Sequence, residues 1–396
     1  MPAAIPPFQV ARLPAIEFGR GTLSALPRHI AAYGREALLV TGRRSFPASP
    51  HWPALTAALA ALEVNWRRIE VSGEPAPETV DEAVRRHHQQ GIAVVVGIGG
   101  GSVLDAAKAI AGLLPSGNSV MDHLEGVGRG IPYRGPATPF IAVPTTAGTG
   151  SEATKNAVLS RRGAHGFKKS FRHEALVARL ALVDPDLLAT CPAPLLAADG
   201  MDAFTQLLES WVSLGASPFT DALARSGLEA FREGFWPAWE RGDPSGRERL
   251  AYASLCSGIT LAQAGLGSVH GLASPLGAFF PIPHGVVCGT LVAEATAVNI
   301  RALEARAPDA PALGKYAAVG RLLSGRAGAD DRAARRALVD LLRQWVERLA
   351  LPRLSAFGVA ESDLPRIVAH SRGGSMRSNP LELSDAELAE VLRARL

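Results

Sequence analysis

The sequence has 396 residues, a formal net charge of +4 and 47% hydrophobic side chains. This length exceeds one ordinary core, so two domains are expected, and the composition excludes a disordered or fibrous chain. The arginines are scattered among acidic residues and are not interleaved with aromatics, so no nucleic-acid partner is expected.

The apolar runs and the cysteines indicate the compartment. The longest apolar runs are far shorter than a membrane span, and prolines interrupt the N-terminal stretch where a signal peptide needs an unbroken apolar segment. Three widely spaced cysteines match no disulfide framework and no zinc knuckle: Cys191, Cys256 and Cys288. A reduced cytoplasmic location without a membrane partner is therefore the expectation.

The first half of the chain alternates two kinds of segment. Continuous apolar runs predict buried strands over 37–42, 65–73, 93–99 and 139–146, and the segments between them predict helices over 51–63, 77–91 and 102–114. This alternation is typical of a parallel sheet covered on both faces. After about residue 185 nearly every segment has helical spacing. We therefore expect a Rossmann-like α/β domain over 1–185 and an all-α domain over 186–396, with a cleft between them.

A glycine turn joins the third predicted strand to its helix. Gly99, Gly100 and Gly101 leave room for a phosphate against the backbone, and Ser102 is expected to cap a helix whose N-terminus favours an anion. Asp105, near the start of the same helix, is also predicted to belong to this cofactor site. The turn is neither a Walker loop nor a GxGxxG fingerprint, so a purely structural turn is the alternative.

A hydroxyl-rich loop follows the strand over 139–146. Thr145, Thr146 and Thr149 surround two glycines at the carboxyl end of this strand, which is the edge where open parallel sheets bind ligands. The alternative is a loop of hydroxyl–backbone turns. Two such loops in one sheet favour a nucleotide site.

The end of the first strand bears on the choice of dinucleotide. An NAD site usually carries an acidic residue here for the ribose 2′-OH, whereas this chain has Gly42 followed by Arg43 and Arg44. No carboxylate repels a 2′-phosphate, and guanidinium groups can pair with one. The pattern therefore favours acceptance of NADP, and the alternative is that both arginines are ordinary solvated side chains.

Four residues in the second half have the chemistry of metal ligands. Asp202 and Gln206 share a helix face, and His270 and His284 lie fourteen positions apart with prolines between them. One carboxylate, two imidazoles and an amide suit Fe²⁺, Zn²⁺ or another divalent ion. Residue type alone favours two structural histidines, and the spacing does not decide between these interpretations.

The motifs taken together resemble the iron-containing (group III) alcohol dehydrogenase family. The resemblance covers nearly the whole chain through segments in matching order, namely FGRGTLSAL, GGGSVLDAAKA, VPTTAGTGSEAT, LVDPDL, GMDAFTQLLE and GLGSVHGLASPLGAFFPIPHG. It implies a dehydroquinate synthase-like fold, with a nucleotide-binding α/β domain, a helical domain and a metal between them. A homodimer is implied as well.

The resemblance also implies roles for particular residues. The glycine turn takes the pyrophosphate, the threonine loop lines the nicotinamide, and two further cofactor contacts correspond to Asn156 and Lys168. The metal ligands, which are also the catalytic residues, correspond to Asp202, His270 and His284. The metal is Fe²⁺ in the first place, with Zn²⁺ as an alternative.

Three positions depart from the family pattern. Gln206 stands where the family has a ligand histidine, which leaves open a chain without metal, although three ligands suffice for a catalytic site. Ser274 replaces a second histidine and cannot titrate near neutral pH. Gly42 replaces the acidic residue after the first strand.

The sequence therefore predicts an NAD(P)-dependent, metal-assisted alcohol dehydrogenase acting on a small alcohol or aldehyde. One alternative is a reductase of an anionic oxo substrate such as maleylacetate or phosphonoacetaldehyde, held by Arg172, Arg372 and Arg377. The others are a lyase of the dehydroquinate synthase type and a metal-free nucleotide-binding protein.

Overall fold

The computed structural model describes residues 5, 7–163 and 165–396 and contains a six-stranded, fully parallel sheet. Its order is β1-β8-β5-β4-β2-β3. The strands of this sheet are β1 Ala15–Phe18, β2 Glu36–Gly42, β3 Asn65–Val71, β4 Val94–Gly99, β5 Phe140–Pro144 and β8 Leu180–Val183. A separate antiparallel ribbon consists of β6 Asn156–Arg161 and β7 Phe167–Arg172.

Both faces of the sheet are covered by helices of the first half: α1 Leu26–Ala31, α2 His51–Ala61, α3 Pro77–His87 and α4 Gly101–Leu113. Neighbouring strand residues point to opposite faces, so Leu38 packs in the cluster of α3 and α4, whereas Leu39 packs in the cluster of α1 and α2. This explains why the strands are continuous apolar runs and not alternating ones.

The second half is helical. Its helices are α5 Ala193–Val212, α6 Pro218–Arg241, α7 Pro244–Ala264, α8 Ser268–Phe279, α9 His284–Arg306, α10 Pro311–Ser324, α11 Asp331–Arg348, α12 Leu364–His370 and α13 Asp385–Arg393. One apolar cluster joins α5, α6, α7 and α11, and a second joins α8, α9, α12 and α13. The predicted fold class, a parallel α/β unit followed by a helical unit, is confirmed.

Helix α9 is long and apolar enough to cross a membrane by length and composition. However, 78% of its apolar window is buried inside the protein. It therefore has the surroundings of a core helix.

The two halves meet where the loop after β5 touches α7. A Cβ on Gly150 would collide with the backbone of Gly258, and one on Gly258 would collide with the carbonyl of Gly150. Gly150 also has a φ of 59°, in the left-handed region that glycine tolerates best. The contact between the halves is therefore backbone against backbone at this point.

Candidate active site between the two halves

The N-terminus of α4 lies at the carboxyl edge of the sheet, directly after β4. Gly100 holds the cap position, because its carbonyl accepts hydrogen bonds from the amides of Val103 and Leu104. Ser102, which was expected to cap the helix, lies instead in its first turn. Since Gly100 has no side chain to bond the helix end, the amides of that turn and the helix dipole are available to an anion.

The glycine turn packs directly on the threonine loop. A Cβ on Gly101 would lie 2.7 Å from Thr149 Oγ1, and one on Gly100 would lie 3.2 Å from Thr146. The amide of Thr145 donates to the carbonyl of Gly99 over 3.0 Å. The two predicted nucleotide loops therefore form one continuous wall.

Asp105 anchors α4 to the β6 ribbon. Its carboxylate accepts hydrogen bonds from Ser151 Oγ at 2.5 Å and from the amide of Val158 at 3.0 Å. Lys108, fully buried, lies 3.7 Å from the same carboxylate and donates to oxygens of Ser151, Thr154 and Asn156. Burial raises the pKa of Asp105 and lowers that of Lys108. This network fixes the helix end that faces the cleft.

Helices α5, α8 and α9 bring three predicted metal ligands together. His270 Nε2 lies 3.2 Å from Asp202 Oδ1, and His284 Nε2 lies 3.8 Å from the same oxygen. His270 lies on α8, which ends at Phe279, and His284 is the first residue of α9. Because the chain changes direction between the two helices, residues fourteen positions apart can approach each other. The question left open by residue spacing is answered by the geometry: the two histidines converge on one carboxylate.

A fourth donor atom, not predicted from the sequence, completes this cluster. Cys288 Sγ lies 3.6 Å from His270 Nε2 and 3.8 Å from His284 Nε2. The donor atoms of Asp202, His270, His284 and Cys288 all lie within 4.8 Å of one another. The i, i+4 spacing of His284 and Cys288 on one helix is the sequence signal that could have identified the cysteine.

The donor set fits a divalent cation. Metal–nitrogen and metal–oxygen bonds of about 2.0–2.1 Å and a metal–sulfur bond of about 2.3 Å give tetrahedral edges of roughly 3.3–3.6 Å. Four of the six distances between the donor atoms run from 3.2 to 3.8 Å, and all six lie within 4.8 Å. Glu209 Oε2 lies 2.6 Å from His270 Nδ1 and so directs the other ring nitrogen towards the cluster, as carboxylates do around bound zinc.

Burial and neighbouring charges set the protonation of the cluster. Burial alone would raise the pKa of Asp202, but the two histidines hold it at about 2. Burial and the Lys168 ammonium lower the pKa of His284 to about 4, which leaves its imidazole neutral at pH 7. Burial raises the pKa of Cys288 to about 12, so its sulfur is a thiol in the protein alone.

Gln206 and Ser274, two of the three departures from the family pattern, are held by local hydrogen bonds. Gln206 Oε1 accepts from Ser257 Oγ over 2.7 Å. Ser274 Oγ donates to the carbonyl of Lys168 over 3.1 Å. Both side chains line the same cleft as the histidines.

The cleft has a volume of about 340 Å³ and collects residues from both halves of the chain. Nine of the predicted site residues line it: Gly101, Ser102, Asp105, Thr149, Asn156, Lys168, Gln206, His270 and His284. Asp202 lies behind them and is 1% exposed. The Lys168 ammonium is paired with Glu74 over 2.7 Å.

Six predicted residues are absent from this lining: Gly42, Arg43, Gly99, Gly100, Thr145 and Thr146. Gly42 ends β2, the strand beside β4. Arg43 Nε lies 3.8 Å from Glu70 on the neighbouring strand, and Arg68 donates to the carbonyl oxygens of Gly42 and Arg43. The end of β2 is thus surrounded by two arginines and one glutamate.

Two of the three arginines that would hold an anionic substrate, Arg172 and Arg372, are paired with carboxylates of the protein. Arg372 lies 2.5 Å from Asp385 and 3.6 Å from Glu382. Arg172 lines the cleft but lies 3.4 Å from Glu125. This charge pairing weakens the case for an anion-binding substrate pocket.

Family models cover nearly the whole chain. The model described as "Iron-containing alcohol dehydrogenase" matches residues 14–185, and that described as "Fe-containing alcohol dehydrogenase family, C-terminal" matches residues 196–396. Both agree with the resemblance seen in the motifs.

Characterised relatives and solved structures agree with these matches. The NAD-dependent methanol dehydrogenase of Bacillus methanolicus is 30% identical over 97% of this chain and 98% of its own length, and lactaldehyde reductase of Escherichia coli is 29% identical over 92% and 94%. A 1,3-propanediol oxidoreductase superposes with a TM-score of 0.88 at 26% identity, covering 99% of this chain and all of its own. A halo-thermophilic archaeal alcohol dehydrogenase from a Red Sea brine pool superposes with a TM-score of 0.90 at 27% identity, over 98% of both chains. The chain therefore belongs to the iron-containing alcohol dehydrogenase family and is an alcohol oxidoreductase.

Proposed function

We propose that the protein catalyses reversible hydride transfer between a nicotinamide dinucleotide and a small neutral alcohol or aldehyde, at a divalent metal held by Asp202, His270 and His284. The observation that carries this proposal is the single cleft lined both by the N-terminus of α4 and by the two histidines. On this proposal the phosphate site and the metal site open into the same space, as a hydride transfer between cofactor and substrate requires.

The cofactor half of the proposal rests on the wall formed by the two loops. Amides at the start of α4 suit the pyrophosphate, and the threonine loop suits the nicotinamide end. Asn156 and Lys168 are proposed cofactor contacts on the strength of the family resemblance and their position in the cleft lining. Asp105 acts by fixing α4 through Ser151 and Val158.

The metal half rests on the converging donor atoms. When bound, a divalent cation supplies a Lewis acid that polarises the substrate oxygen. Asp202 supplies charge, and the neutral imidazole of His284 offers a lone pair at the cleft surface. Glu209 orients His270 from behind. The protein's part is to hold these groups rigidly and to keep bulk water away from the reacting carbon.

A small neutral substrate is favoured over an anionic one. The relatives named above include a methanol dehydrogenase and a lactaldehyde reductase. A cleft of about 340 Å³ that also receives the nicotinamide leaves room for a short-chain substrate. For the cofactor, we propose that NADP is accepted alongside NAD, because Gly42 itself brings no carboxylate and two arginines, Arg43 and Arg68, stand beside the single Glu70 at the end of β2.

A homodimeric, cytoplasmic enzyme completes the proposal, with domains over 1–185 and 186–396. Among the described residues β1 is the outermost strand on its side of the sheet and the side chain of Ile16 is exposed, which suits association of two copies. Light scattering that gives the mass of one chain would contradict the dimer.

The test is the oxidation of NADH and NADPH by short aldehydes, followed in His270→Ala and His284→Ala. Because each variant removes one donor of the metal while α4 is untouched, turnover is expected to be lost and dinucleotide binding to be kept. Titration calorimetry with NADH measures the second property. Wild-type turnover in both variants would refute the metal-dependent reaction.

A further inference from the structure

Helix α9 offers two donor atoms to the same point in space. Cys288 follows His284 by four residues, so the two side chains lie one above the other on a single helix face. The thiol sulfur is fully buried and lies 3.8 Å from His284 Nε2. Any cation that touches the histidine from the cluster side is therefore within reach of the cysteine.

Cys288 packs in the apolar cluster of α8 and α9, but its sulfur also contacts three polar side chains, which is more than a small apolar side chain needs. It lies 3.6 Å from His270 Nε2, and it also contacts the carboxylate of Asp202. Apolar packing requires no such convergence of two imidazoles and a carboxylate on one sulfur. A four-donor metal site does require it.

The family's usual fourth ligand position is occupied by Gln206, whose side-chain oxygen accepts from Ser257. That hydrogen bond directs the amide oxygen to α7, whereas Cys288 closes the cluster from α9. The chain therefore contains four donors in one cluster even though the expected histidine is missing.

We infer that Cys288 is the fourth protein ligand of the metal and binds it as a thiolate, which makes this an Asp-His-His-Cys site that favours Zn²⁺ over Fe²⁺. This inference rests on the proposed metal-dependent function. As the sulfur–metal bond forms, the thiol proton passes to solvent. Thiolate is a soft ligand, and Zn²⁺ lies above Fe²⁺ in the affinity order of nitrogen and sulfur sites. A zinc ion held by these four residues could still expand to five ligands, so the site would remain compatible with a substrate oxygen from the cleft.

The direct test uses Co²⁺ as a spectroscopic probe in the full-length protein. Apoprotein prepared with a chelator is reloaded with Co²⁺, and a thiolate-to-cobalt charge-transfer band is expected in the near ultraviolet. Cys288→Ser and Cys288→Ala are expected to lose the band and to bind Co²⁺ at least about tenfold more weakly, the lower limit seen even for partners outside the coordination sphere. The matched control is Cys256→Ser on α7, another buried cysteine, which should keep both.

A rescue variant separates ligand loss from misfolding. Gln206→His combined with Cys288→Ala restores an imidazole at the family position, so Co²⁺ binding should recover without the charge-transfer band. In anaerobic competition between equal concentrations of Zn²⁺ and Fe²⁺, the wild type should retain Zn²⁺ and the double variant proportionally more Fe²⁺.

The inference is overturned by fully cobalt-loaded wild type without the band, or by a band that persists in Cys288→Ala. Failure of the inference and failure of the proposed function are distinguishable. Turnover without the band contradicts only the cysteine ligand, whereas the band without any turnover on aldehydes contradicts only the proposed reaction.

Discussion

At the scale of single residues, Gly42 is the proposed neighbour of the cofactor's ribose. A Cβ there would lie 3.6 Å from Ser45 Oγ and 4.0 Å from Val103, which are ordinary contacts, so a side chain is tolerated. Gly42→Asp is expected to weaken NADPH binding by about tenfold or more and to preserve or improve NADH binding, since the carboxylate repels a 2′-phosphate and accepts a 2′-OH. Fluorescence titration with both reduced cofactors measures this.

The matched control for that substitution is Gly328→Asp, where a new Cβ meets nothing within 4 Å. It adds the same charge away from the cleft and should leave both affinities unchanged. If both variants bound NADPH equally weakly, net charge, and not the position of the carboxylate, would govern the affinity.

Glu152 gives the fold a pH dependence of its own. It is 2% exposed, and burial raises its pKa to about 7 against an ordinary value of 4.5. Below pH 4.5 Glu152 is protonated in both the folded and the unfolded chain, and its contribution to stability is complete. Between pH 4.5 and about 7 the carboxyl group ionises only in the unfolded chain, so the free energy of unfolding falls as the pH rises. At about 1.4 kcal/mol per pKa unit the loss is of the order of 3 kcal/mol.

Glu152→Gln removes this loss, because the amide does not ionise. The free energy of unfolding in urea, measured from pH 4.5 to 7.5, should therefore fall less steeply in the variant than in the wild type. Glu382→Gln, whose side chain is 89% exposed, is the control and should follow the wild-type profile. Parallel profiles for all three proteins would contradict the assignment to Glu152.

The sequence predicted three of the four clustered donors but not Cys288. The histidines and Asp202 were found because they lie in motifs with a known pattern, whereas Cys288 lies outside those motifs. Which atoms converge depends on how α8 and α9 pack, and that packing is a tertiary property. For the same reason the sequence could not show that Gln206 bonds to Ser257.

At the scale of elements, the contact between Gly150 and Gly258 joins the threonine loop to α7. Gly258→Ala inserts a methyl group against the Gly150 carbonyl. The cost is expected to be about 1–3 kcal/mol of folding free energy, the range for overpacking, together with weaker dinucleotide binding because the loop is displaced. Chemical denaturation and cofactor titration measure the two effects.

Gly314→Ala on the surface of α10 is the control, since an added Cβ meets nothing within 4 Å there. In a helix interior alanine is more favourable than glycine, so this variant should be neutral or slightly more stable. If Gly258→Ala behaved in the same way, the tight contact between the halves would be wrong.

Strands with continuous apolar runs and the segments that alternate with them were predictable, and elements without such a pattern were not. The strands β2, β3, β4 and β5 and the helices α2, α3 and α4 fall within a few residues of their predicted positions, whereas β8, inside the sheet, was not predicted. The ribbon of β6 and β7 was missed, because charged segments such as that around Lys168 carry no strand pattern and pair only with each other. Helix α8 was obscured by Pro275, which lies inside it.

At the scale of the whole molecule, the metal is expected to act as a cross-link between helices. Its proposed donors come from α5, α8 and α9, so a cation that binds only the folded chain would stabilise that chain by mass action. At a free Zn²⁺ concentration about one hundred times the dissociation constant, the gain is about 2.7 kcal/mol. A higher thermal midpoint with Zn²⁺ than with a chelator is the expected result.

The same measurement on His270→Ala is the control, because this variant lacks one donor and should respond little to Zn²⁺. An equal shift in wild type and variant would place the stabilising cation elsewhere on the molecule.

The placement of His284 and Cys288 one turn apart on α9 has a consequence for how such sites diverge. A metal can be bound by any suitable side chain that reaches its position, and side chains from several helices reach that position here. When one helix loses a donor, another helix that already borders that position can supply one by a single side-chain exchange, without any movement of the backbone. Exchanging imidazole for sulfur in this way gives a lineage a route to another metal while the fold and the dinucleotide site stay the same.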